Sequence, residues 1–71
     1  MPVVNIRMVE GRTQQQKDEI AKRVNAAMTD VLGLPADDIW VVFDDVNARD
    51  WYVGTATVAD LRAKGLLEKG R

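Results

Sequence analysis

The sequence contains no cysteine, no histidine and no serine. No disulfide can staple it, no thiolate or triad serine can serve as nucleophile, and the side chain best suited to moving protons near neutral pH is missing. Charge of one sign is also lacking. The formal net charge is −1, with acidic and basic residues scattered along the chain, so there is no electrostatic footprint for nucleic acid or for an anionic membrane, and neither is expected as a partner. No apolar run approaches the ~20 residues of a membrane span, and the N-terminus lacks the basic-then-apolar layout of a signal peptide. The expected location is cytoplasmic.

The 71 residues are expected to form one domain, 1–71, with little room for a core, since a chain this short buries only about 60% of its unfolded surface. With no disulfide to help, its stability should come from self-association. Among the residues that are present, Pro2 stands out by elimination. Removal of Met1, favoured by a small second residue, turns Pro2 into a chain-terminal secondary amine able to act as base or nucleophile. If the chain is an enzyme, Pro2 is the leading catalytic candidate.

From Val3 to Val9 the side chains alternate, placing Val4, Ile6 and Met8 on one face of a strand. Glu10-Gly11-Arg12 supplies a turn, and Thr13 with Gln16 three residues later forms a capping box. A helix is predicted from about Gln14 to Leu32, its apolar stripe formed by Ile20, Val24, Ala27, Met28 and Val31. Gly33 and Pro35 stop it. Ile39 to Phe43 is a run of β-branched and aromatic residues without alternation, which predicts a second strand buried on both faces. Strand, helix and strand make a right-handed βαβ unit with parallel strands, an α+β fold. Two strands under one helix leave a bare sheet face and two open edges, to be completed by oligomerisation. Asp44 to Asp50 reads as polar and turn-like, and Trp51-Tyr52-Val53 as a short aromatic stretch ended by Gly54. The tail, 55–71, stays ambiguous. Thr57 and Asp60 fit the cap of a short helix through Ala63, whereas Gly65 and Gly70 fit a loosely held arm.

Pro2, the Met8-Val9-Glu10-Gly11-Arg12-Thr13 segment, Gln16-Lys17, Leu34-Pro35, Trp51 and Gly54 together resemble the tautomerase superfamily, specifically its short 4-oxalocrotonate tautomerase type. The match runs from Pro2 to about Gly54, and its most specific part is Pro2 paired with Glu10-Gly11-Arg12-Thr13 at fixed spacing. The resemblance implies a cofactor-independent, metal-free isomerase built from βαβ units, commonly a homohexamer arranged as a trimer of dimers. It implies that Pro2 carries a proton between carbon and oxygen of an enol acid, that Arg12 holds a substrate carboxylate, and that Trp51 makes the pocket apolar. Val9 and Trp40 are expected to complete that apolar wall. Burial beside a cation disfavours the charged form of an amine, which is how a neutral base becomes available there.

The chain departs from this pattern at Trp40, where 4-oxalocrotonate tautomerases carry a second arginine. A drier pocket for a monocarboxylate with an apolar or aromatic tail fits better than a dicarboxylate. Arg49, on an expected loop, is a candidate replacement cation. Arg7 is expected to pair with an acid from another subunit, and the adjacent Asp44 and Asp45 to be solvated turn residues. Arg12 also has a plain reading as a surface residue at a helix start, where its charge is mildly unfavourable. Trp40 and Trp51 have one as packing residues. Two other functions stay open. One is different chemistry on the same amine, namely hydration, dehalogenation or decarboxylation. The other is a non-catalytic assembly module.

Overall fold

Strand β1 spans Val3–Val9 and helix α1 Gln14–Leu32, as the alternation and the caps predict. The computed structural model describes residues 1–67, so Gly70 and the terminal charges lie outside the described residues. Both halves of the capping box form: the Thr13 hydroxyl accepts from the Gln16 amide at 3.1 Å, and the Gln16 side chain accepts from the Thr13 amide at 2.9 Å. Loss of such a cap destabilises by about 1 kcal/mol. Thr13→Ala is therefore expected to lower unfolding free energy by about that amount, measured by urea titration at matched protein concentration. At the other end Gly33 takes φ 68° and its amide reaches back to the Thr29 carbonyl at 2.9 Å, a left-handed cap that favours glycine.

Strand β2, Trp40–Val46, runs parallel to β1 with Val3 opposite Trp40 and Val9 opposite Val46. This register puts Val41 and Phe43 beside Val4 and Ile6 under the helix. Trp40 and Val42 lie beside Val3 and Asn5 on the other face. That second face is open: Val3 is 57%, Trp40 52% and Val42 45% exposed. The two-sided burial expected of β2 is thus not met within one chain, because a single helix covers a single face.

β2 also starts one residue later than the apolar run suggests and continues through Asp44 and Asp45, which are strand residues and not a solvated turn. Both acids have partners. Arg7 Nε donates to Asp44 Oδ2 at 3.1 Å across the open face, an ion pair within the chain itself. Asp45, on the helix side, pairs with Lys17. The helix stripe is also shorter than its spacing implies: Ile20, Val24 and Met28 are half-buried, whereas Ala27 and Val31 are exposed, Val31 by 80%. A 19-residue helix is about 28 Å long and a seven-residue strand about 23 Å, so the last turn overhangs the sheet.

After β2 the chain makes a 3₁₀ turn at Ala48–Asp50, then a hairpin of β3, Tyr52–Val53, and β4, Ala56–Thr57, and a short helix α2, Val58–Ala63. The described part of the tail is therefore a hairpin and a helix, held by the Val58 amide donating to the Trp51 carbonyl at 2.8 Å and by Thr57 capping α2 at the Asp60 amide. Buried apolar residues among those described are few: Ile39 before β2, Ala48 in the 3₁₀ turn and Val58 at the start of α2. None is in the sheet itself. Among the described residues no helix is long and apolar enough to cross a membrane.

Candidate functional site

A cavity of about 320 Å³ opens at the C-terminal end of β1. Its walls come from four pieces of chain. Met8 and Val9 end β1, Arg12 sits in the turn before α1, Trp51 and Val53 belong to the segment after β2, and Val58 and Arg62 face it from α2, with Leu67 beyond them. Val58 and Arg62 are four residues apart on a helix and so share a face. The turn carrying Arg12 is tied to the end of β2 by the Glu10 amide on the Val46 carbonyl at 2.8 Å, and the Glu10 carboxylate accepts from the Ala48 amide at 3.3 Å. These bonds fix the mouth of the cavity. Among the described residues its lining is apolar except for two guanidinium groups, Arg12 and Arg62. A recess that joins apolar walls to guanidinium groups is suited to an anion with an apolar body.

Of the residues singled out in the sequence, Val9, Arg12 and Trp51 meet in this cavity, all three half-buried. Pro2 and Trp40 do not. They lie together at the opposite end of the sheet, where the Trp40 amide donates to the Pro2 carbonyl at 3.0 Å. Pro2 and Val9 are seven residues apart along an extended strand, which separates them by roughly 20 Å. Arg49 does not line the cavity; it is exposed in the 3₁₀ turn, where its amide donates to Asn47 Oδ1 at 2.9 Å.

Arg62 was not anticipated. Its signal was present, because a Thr57 cap places Val58 and Arg62 on one helical face, but nothing local says that this face closes on the turn at Glu10. Arg62 Nη1 donates to the Glu10 carbonyl at 3.2 Å, a contact spanning 52 residues of sequence. On the outer side of α1 the Arg23 side chain donates to Glu19 at 2.8 Å and holds its carboxyl below the ordinary value.

Comparison with known proteins matches residues 2–61 to the model of the tautomerase enzyme family. A probable tautomerase of Bacillus cereus is 35% identical over 60 residues, covering 84% of this chain and 98% of the relative. The 2-hydroxymuconate tautomerase of Comamonas testosteroni is 30% identical over 61 residues, covering 86% and 97%. Among solved structures, a heterohexameric 4-oxalocrotonate tautomerase from Chloroflexus aurantiacus superposes with a TM-score of 0.78 at 32% identity, over 87% of this chain and 100% of that one. The β-α-β arrangement with parallel strands is the fold of these neighbours, and the chain belongs to the tautomerase family of isomerases.

Proposed function

We propose that the chain is a cofactor-independent tautomerase that interconverts the enol and keto forms of a 2-oxo acid, with Pro2 of one protomer and the Arg12 cavity of another forming each site. The observation that carries this reading is the separation of roughly 20 Å between Pro2 and the cavity along β1. One chain cannot bring its own amine to its own guanidinium. The open sheet face at Val3, Trp40 and Val42 supports assembly, since apolar strand surface of this kind is buried by pairing with another copy. By analogy with the heterohexameric relative from Chloroflexus, the assembly is a hexamer, here of identical chains. The whole chain, 1–71, acts as one domain within it.

In this arrangement the Arg12 guanidinium fixes the substrate carboxylate by a charge-assisted bond. Val9 and Trp51 exclude water from the hydrocarbon part, and Trp40, adjacent to Pro2, shields the amine from the other side. The unprotonated Pro2 nitrogen accepts the proton of the 2-hydroxyl as the enol collapses to the ketone. The ammonium so formed returns a proton to the substrate carbon, which leaves the amine neutral and the reaction balanced. Taking and returning the proton both require an amine whose pKa lies close to the working pH, which an apolar wall beside a cation favours.

Subunit complementation tests the split site. Pro2→Ala and Arg12→Ala chains, each impaired alone, are co-refolded and assayed for phenylenolpyruvate ketonisation at substrate well below KM, with the activity of each variant alone subtracted. Random assembly places an intact Pro2 against an intact Arg12 in roughly a quarter of the sites, so roughly a quarter of wild-type activity is expected. No recovery in verified mixed assemblies would contradict a site shared between protomers.

A further inference from the structure

We propose that Leu67, carried past the end of α2, is a specificity-determining residue: it forms the wall of the cavity against which the apolar tail of the substrate packs. The inference deepens the function proposed above and rests on its placement of a substrate in this cavity.

Three observations support it. Leu67 lines the cavity together with Trp51, Val53 and Val58, so the apolar side chains of the segment after β2 meet there. Second, Leu67 is held in place by the chain before it. The Val58 amide donates to the Trp51 carbonyl at 2.8 Å and Arg62 Nη1 to the Glu10 carbonyl at 3.2 Å, which fixes α2 beside the cavity at both its ends. Past α2, the Gly65 amide donates to the Arg62 carbonyl at 3.0 Å and the Leu66 amide to the Leu61 carbonyl at 2.9 Å. This pair of bonds, with Gly65 at φ 72°, is the Schellman arrangement that ends a helix and turns the chain away from its axis. The turn sorts the two leucines that follow it. Leu66 is 67% exposed and is not among the residues lining the cavity, whereas Leu67 is 42% exposed and lines it. Third, the family match stops at residue 61, so this wall is built by residues outside that match. A leucine half-open to solvent in a recess is stabilised when hydrocarbon covers it, and a short or charged tail leaves it wet. The chemical class selected is therefore a 2-oxo acid with an aromatic or branched apolar tail.

Ligand-observed NMR titration of the full-length assembly tests this without any turnover. The probes are 3-phenylpropanoate and propanoate, which keeps the carboxylate and drops the ring. Leu67→Ala is expected to weaken 3-phenylpropanoate binding about threefold to tenfold, the effect of removing a half-buried leucine side chain from an apolar contact, and to leave propanoate within about twofold. Leu67→Asn, which nearly keeps the volume but makes the wall polar, should lose at least as much, and it serves if the alanine variant fails to assemble. Leu66→Ala, one residue away, should bind both probes as the wild type does. Equal losses for the two probes in the Leu67 variants would mean that this segment only holds the site together, and would overturn the proposal. So would 3-phenylpropanoate affinity unchanged in both variants, a matching loss in Leu66→Ala, or no saturable binding of 3-phenylpropanoate by the wild type. Neither probe has a 2-oxo group to enolise, so an inactive Pro2 would leave the result standing, and a failure here would leave the role of Pro2 untouched.

Discussion

Pro2→Ala is expected to lower the turnover number for phenylenolpyruvate ketonisation by about two to four orders of magnitude, the span that one positioned acid-base group contributes. KM should change little, because the carboxylate is held at the other end of the site. The size of the loss follows from what the chain does not have. With no histidine and no cysteine, no nearby side chain can take over proton transfer at neutral pH. The alanine amine left at the chain terminus is a primary amine on a more mobile residue and should be poorly aimed. Steady-state kinetics with a far-UV spectrum and a measured assembly mass separate chemistry from folding. A variant that assembles and turns over at the wild-type rate would remove Pro2 from the mechanism.

The second large effect is expected at Arg12. Arg12→Gln should reduce kcat/KM by about tenfold to hundredfold, mostly through KM, because a charge-assisted bond to a carboxylate is worth about 1.5–3 kcal/mol and is made in the ground state as well as the transition state. The loss should shrink as ionic strength rises, to the extent that the cavity admits salt. Arg12 lies between the strand end and the Thr13 cap, and the bonds that define the turn there are made by Glu10, Thr13 and Gln16. A loss confined to kcat would instead indicate that the guanidinium acts on the developing charge at the 2-oxygen.

The first half of the fold was legible because its signals are local. Alternation from Val3 to Val9 needs no knowledge of a partner, and the Thr13/Gln16 box and Gly33 mark the ends of α1 within four residues of each. What misled the reading depends on distant partners. Asp44 and Asp45 look like a turn until Arg7 and Lys17 are placed opposite them, which lets two adjacent acids occupy a strand with one on each face. Val31 has the right helical angle but lies beyond the end of the sheet, a matter of relative lengths that a periodicity cannot report. For the site, Val9, Arg12 and Trp51 do converge, and Pro2 and Trp40 form a separate pair. Arg49 is the candidate cation suggested by nearness in sequence to Trp51; within one chain it lies away from the cavity, which Arg62 lines instead, held at the Glu10 carbonyl 52 residues away.

The central claim is that Pro2 works as a chain-terminal base, and the most direct test is the state of its nitrogen. Intact mass of the purified protein, followed by the pH dependence of N-terminal alkylation, reports both whether Met1 is removed and where the amine titrates. The account predicts a mass lower by one methionine and an amine that titrates below the ordinary terminal range of about 8. A retained methionine would make the proline nitrogen an amide without basicity. That result, or an amine that titrates like a free one, would contradict the account and leave the cavity as a binding site without this base.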